Sequence, residues 1–95
     1  MISREGNRYW LDGPVTLAVA SALRAEGERQ FEGDAIVVDF SRVTEVDSSA
    51  LSLMLEWVRN RNAAGRRIAF ANLGSNLNAI AELYGVAELL PVEAH

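Results

Sequence analysis

Asp47-Ser48-Ser49 is the stretch of this chain whose residue types and spacing most clearly point to chemistry. It follows an apolar run, Val37-Val38-Asp39-Phe40, and a short polar segment over residues 41–46. A helical pattern opens immediately after it at Ala50-Leu51. One carboxylate and two hydroxyls therefore meet the first turn of a helix. Unpaired N–H groups and the helix dipole favour negative charge there. Asp47 or Ser48 is expected to cap the helix by accepting a bond from a backbone N–H two or three residues on, worth about 1 kcal/mol. Ser48 carries a second expectation, as an exposed phosphate acceptor or partner contact with Asp47 and Ser49 beside it. A phosphate would add about −1.5 to −2 charge at that point.

The same helix carries two apolar stripes. Leu51, Leu55, Val58 and Asn62, with Met54 beside them, follow the 3, 4 spacing of a core-facing side. Ala50, Leu53 and Trp57 lie at i, i+3 and i+7, rotated from the first stripe by more than about 90°. Both cannot face a sheet. Ala50, Leu53 and Trp57 are therefore expected as a partner interface, with Trp57 an aromatic anchor one turn from Ser48. The competing expectation is that Trp57 folds down over the rim of the core.

Catalytic patterns are missing from the sequence. The sole histidine is His95, the last residue of the chain, so no Ser-His-Asp set can be assembled credibly. There is no lysine, which removes the phosphate-binding Gly-x-x-x-x-Gly-Lys-Ser/Thr loop. There is no cysteine, which removes disulfides, thiolate metal sites and thiol nucleophiles and fits a reducing compartment. The acidic residues fall mostly at turns or on solvated helix faces. No catalytic residue, cofactor or metal is expected. Nine basic against thirteen acidic residues give a net charge of −4, which argues against nucleic acid and against anionic lipid. Arg59, Arg61, Arg66 and Arg67 are expected to form a solvated face at the end of the second helix, where cations suit the dipole.

The elements that must position Asp47-Ser48-Ser49 read as follows. Ninety-five residues make one domain over 1–95, and an apolar share of 49% is ordinary for a folded chain. Residues 2–4 and 8–11 flank a Glu5-Gly6-Asn7 turn and predict an N-terminal hairpin. Asp12-Gly13-Pro14 breaks it before a helix over 15–29, with Val15, Val19, Ala22 and Leu23 on its buried side. The apolar run 35–40 predicts a strand covered on both faces. A helix over 48–64 ends at Gly65, a strand covers 68–73, and Ser75 or Asn76 caps a third helix carrying Leu77, Ile80, Ala81 and Tyr84. Gly85 with Val86 stops that helix, and a short turn precedes Pro91. Strands separated by single helices imply right-handed crossovers and a largely parallel core. The expected fold is α/β, a mixed sheet of about four strands with an N-terminal hairpin and three to four helices. No apolar run near the start suits a signal peptide, and none is long enough to span a membrane.

The junction from Asp39 to Leu51 resembles the signature of the STAS domain family, in which a strand ending in Asp leads through a Ser-containing loop to Asp-Ser/Thr-Ser/Gly-Gly/Ala-Leu. The likeness continues in order through Gly65-Arg66-Arg67-Ile68 and the third helix to Pro91. Phe40 to Ser48 and Ile80 to Tyr84 look most similar to the branch found in phospholipid-transporting ABC complexes of Gram-negative bacteria. The resemblance implies a STAS-like fold, with Ser48 at the family's phosphorylatable position. It implies a non-enzymatic protein whose partner is an ABC transporter ATPase and, through it, the membrane permease that helps maintain outer-membrane lipid asymmetry. The expected location is the cytoplasm, peripheral to the inner membrane, with no direct insertion. Gly13-Pro14-Val15-Thr16 replaces the Gly-Glu-Leu-Asp typical of sigma-factor antagonists, and Ala50 replaces their glycine. The alternative implied is an anti-sigma factor antagonist controlled by phosphorylation of Ser48.

Overall fold

A computed structural model describes residues 1–93 of the chain. His95 lies outside the described residues. The hairpin forms as expected: β1 (Ile2–Glu5) runs antiparallel to β2 (Arg8–Leu11). Then come β3 (Gly13–Val15), α1 (Leu17–Gln30), β4 (Ala35–Asp39), β5 (Val43–Val46), α2 (Ser49–Ala63), β6 (Arg67–Ala71) and α3 (Gly74–Leu83). A 3-10 turn at Ala87–Leu89 follows. Two short strands escape the sequence pattern. β3 and β5 pair in parallel as a separate two-stranded sheet, and β5 lies where a polar loop was predicted.

The main sheet has the order β1-β2-β4-β6. β2, β4 and β6 run parallel, and Phe70 of β6 bridges in parallel to Val92. Each strand–helix–strand connection thus steps the same way across the sheet. Right-handed crossovers in one direction place α1, α2 and α3 on a single face. Burial alternates accordingly. Tyr9, Leu11, Ile36, Val38, Ile68 and Phe70 point into the helix side and are buried. Arg8, Trp10, Val37 and Ala69 point to the other side and stay half-exposed. The strand at 35–39 is therefore covered on one face, not two. An uninterrupted apolar run does not reveal which of its faces meets a helix.

α2 is rotated by about 100° from the orientation its sequence predicts. Ala50, Leu53 and Trp57 are buried, and with Met54 and Leu51, both expected in the core, they form the buried side of the helix. They are not an exposed interface. Asn62 is exposed, while Leu55 and Val58 are half-exposed on the flank. The cause is Trp57. Its ring, 1% exposed, lies against Gly27 of α1, and a Cβ built on Gly27 would fall 2.7 Å from Trp57 Cζ2. The indole meets Phe31 edge-on at 4.9 Å, and Phe31 meets Tyr9 in the same way at 4.9 Å. The indole N–H reaches the Arg24 carbonyl at 3.4 Å, so its polar atom is not stranded. A large aromatic with a matching glycine on the facing helix outweighs a longer but smaller aliphatic stripe.

The start of α3 departs from the prediction: the helix begins at Gly74 after Leu73, and neither Ser75 nor Asn76 caps it. Gly85 takes φ 70, and the Val86 N–H donates to the Ala81 carbonyl at 3.0 Å, closing α3 as predicted. Arg61 differs from expectation. It is buried, with Nη2 donating to the carbonyls of Gly33 and Arg67 at 2.8 and 2.9 Å. It ties the end of α2 to the beginnings of β4 and β6 and is no part of a solvated face.

Two substitutions test this packing. Trp57→Ala is expected to cost about 3–5 kcal/mol in urea unfolding, as large aromatic truncations do. Gly27→Ala is expected to cost about 1–3 kcal/mol by overpacking. Near-neutral values for both would mean that α1 and α2 do not meet through this pair.

Candidate functional site

Asp47 ends β5 and opens α2. Its Oδ1 accepts the Ser49 N–H at 2.9 Å and also the Ser49 hydroxyl. Its Oδ2 accepts the Leu17 N–H at 3.0 Å. The predicted cap is therefore present, and Asp47 supplies it. Bonds from the Ser49 hydroxyl and the Leu17 amide hold the Asp47 carboxyl below its usual range. Ser49 is half-buried and its hydroxyl is turned inward onto this carboxylate.

Ser48 is different. It has helical φ and ψ of −63° and −19°, is exposed, and its hydroxyl makes no hydrogen bond among the described residues. With Ala50, Leu53 and Trp57 pointing into the core, position 48 falls on the opposite side of α2. The structure thus brings Asp47, Ser48 and Ser49 together and separates their roles. Two are engaged within the chain and one is displayed.

Beside Ser48 lies an apolar groove of about 620 Å³. Leu17 from the start of α1, Leu51 and Leu55 from α2, and Tyr84 and Val86 from the end of α3 form its walls, with Asp47, Ser48, Ser49 and Ser52 at its polar end. Leu17 is 78% exposed and Tyr84 60% exposed. The groove is thus bordered by large exposed apolar side chains. The apolar side chains exposed beside Ser48 are these, and not the buried Ala50, Leu53 and Trp57 expected there from the sequence. Leu17 carries no distinctive spacing, and Tyr84, whose spacing with Leu77, Ile80 and Ala81 predicts a core position, is exposed. Their signal is positional, since one is the first residue of a helix and the other sits directly before the Gly85 stop.

A second polar cluster sits at the end of β4. Asp39, 3% exposed, accepts Arg8 Nε and Nη2 at 3.0 and 2.7 Å, Asn72 Nδ2 at 3.0 Å and the Ser41 N–H at 2.7 Å. Arg8 Nη1 also reaches Glu93 Oε2 at 2.9 Å, across the helix-free face of the sheet. Burial works against the charge on Asp39. The bonds from Ser41, Arg8 and Asn72 outweigh it and hold the carboxyl at about 2 against an ordinary 3.8. Through the Ser41 N–H the cluster holds the start of the turn that leads into β5. Among the described residues, no group of acidic or histidine side chains could hold a metal ion. No described helix is long and apolar enough to cross a membrane.

The fold is a one-sided α/β module with a serine displayed at the start of α2. The family model described as "Mlab, STAS domain" matches residues 3–91, and the chain belongs to the STAS family. STAS domains are typically non-enzymatic. No curated protein matches the chain. Among solved structures, the unphosphorylated anti-sigma factor antagonist SpoIIAA is similar over 100% of this chain and 88% of its own, at 18% identity and TM-score 0.74. The phosphorylated form of the Bacillus cell fate determinant SpoIIAA is similar over 100% and 91%, at 18% identity and TM-score 0.68. A sulfate transporter family protein from Wolinella succinogenes is similar over 88% and 70%, at 18% identity and TM-score 0.70. At these identities the likeness is one of fold.

Acid titration tests the Asp39 cluster. A carboxyl depressed by folding stabilises the protein above its unfolded value, and that stabilisation fades as pH falls from about 4 to about 2. Asp39→Asn is expected to lower stability at pH 7 by about 2 kcal/mol and to flatten the pH dependence in that window. An unchanged acid profile in the variant would show that Asp39 is not held in this way.

Proposed function

We propose that this chain is the STAS subunit of an Mla-type phospholipid ABC transporter, docking on the ATPase through Ser48 and the adjoining groove. The observation that carries the reading is the pairing of a displayed, unbonded hydroxyl with an exposed apolar groove at one end of the molecule. Partner surfaces commonly combine a desolvated apolar centre with a polar margin. Here Leu17, Tyr84 and Leu55 supply the centre, and Ser48 and Ser52 the margin. The match of the family model bearing the Mlab description over residues 3–91 supports the transporter branch. A subunit that binds only the assembled form of the ATPase shifts it toward that form by mass action. The chain would lie at the cytoplasmic side of the inner membrane through its partner, with the lipid handled by other subunits.

The second reading is an anti-sigma factor antagonist in which a kinase-type partner phosphorylates Ser48. The likeness in fold to SpoIIAA, a protein seen in phosphorylated and unphosphorylated forms, favours keeping it. A phosphate on Ser48 would sit at a helix N-terminus that tolerates negative charge, with the Asp47 carboxylate opposing it.

Co-purification separates the two. Ser48→Asp and Leu17→Arg are each expected to abolish co-purification with the Mla-type ATPase while leaving the thermal midpoint within a few degrees, since both positions are exposed. Retention of the ATPase by both variants would remove this face from the contact. Incubation with an anti-sigma kinase and ATP is expected to leave the intact mass unchanged, and a gain of one phosphate lost in Ser48→Ala would favour the second reading.

A further inference from the structure

α1 has no cap of its own. Its N-cap residue Thr16 makes no side-chain bond to the helix, and its first turn holds no acidic residue. The Leu17 N–H is instead satisfied from 30 residues away, by Asp47 Oδ2. The other oxygen of the same carboxylate caps α2 through the Ser49 N–H. One side chain thus holds two helix N-termini together, using one oxygen for each. An asparagine has a single carbonyl oxygen and could serve only one of them.

We infer that Asp47 is the positioning residue of the docking face, a pin that sets the start of α1, and with it the Leu17 wall of the groove, against α2. This inference rests on the docking reading above and adds that Asp47 acts through Leu17, not by touching the partner. Its carboxylate is already committed to three donors from within the chain. Leu17 is 78% exposed, so little packing of its own side chain holds it in place. The bond to its amide is what fixes the rim. The pin also explains why the position next to the displayed serine carries a carboxylate and not another hydroxyl. A serine could cap α2 but could not span to α1.

Two measurements test the pin. Amide exchange read by NMR needs no partner. Asp47→Ser, which can cap α2 but cannot span to α1, is expected to speed exchange at the Leu17 amide by roughly fivefold, the size of a lost cap. Ser49→Ala, which keeps both backbone bonds, is expected to leave it unchanged. Affinity for the Mla-type ATPase is then compared in a double-mutant cycle. Asp47→Ser is expected to weaken binding by roughly fivefold in the wild-type background, and by less than about twofold once Leu17→Ala has removed the wall. An equal loss in both backgrounds overturns the inference, because Asp47 would then meet the partner directly. An unchanged Leu17 exchange rate in Asp47→Ser overturns it as well. A loosened Leu17 amide in a protein that never binds the ATPase supports the pin and defeats the docking reading instead.

Discussion

The packing of Trp57 on Gly27 decides how α2 is rotated, and the site follows from that rotation. Gly27 lets the indole approach α1 within a distance that any Cβ would forbid. Once the ring is seated, Ala50, Leu53 and Met54 must lie on the same side and are buried with it. The opposite side then carries Ser48, Ser52 and Arg59, all exposed, with Leu51 and Leu55 along the flank beside α3. A helix turned to bury its Leu51–Leu55–Val58 stripe would bring Ser48 round toward the core margin. The display of that hydroxyl is thus a consequence of core packing, not of the residues next to it.

The second determinant is the one-sided sheet. All crossovers step in one direction, so the helix tips gather on one side and the opposite face holds no helix. That face is occupied by charge pairing. Arg8 spans from β2 to Asp39 and Glu93, and Arg42 lies over Trp10 at 4.6 Å while approaching Asp12 at 3.7 Å. The Asp39 cluster also holds the start of the turn from β4 into β5 through the Ser41 N–H.

Much of this was legible in the residues. The hairpin, the three helices, the parallel core and the Gly85 stop all follow from patterns that depend on neighbours in sequence. The Asp47 cap follows from the same logic, since it acts two residues away. What the pattern missed depends on partners distant in the chain. The choice between two apolar stripes on α2 turns on a glycine 30 residues earlier. The β3–β5 pair joins short strands with no periodicity to announce them. Asp39 and Arg8, 31 residues apart, look like ordinary strand-end charges until the fold brings them within 2.7 Å. Leu17 and Tyr84 become a surface only when α1 and α3 meet beside α2. Local rules give elements and caps, whereas faces are set by long-range complementarity.

Docking at the helix-tip end of the molecule, and not on the open sheet face, is tested directly by hydrogen–deuterium exchange of the chain alone and in complex with the Mla-type ATPase. New protection is expected at the start of α1, the first turns of α2 and the end of α3, with β1 and β2 unchanged. Protection centred on the strands around Trp10, with the Ser48 end exchanging as freely as before, would contradict it.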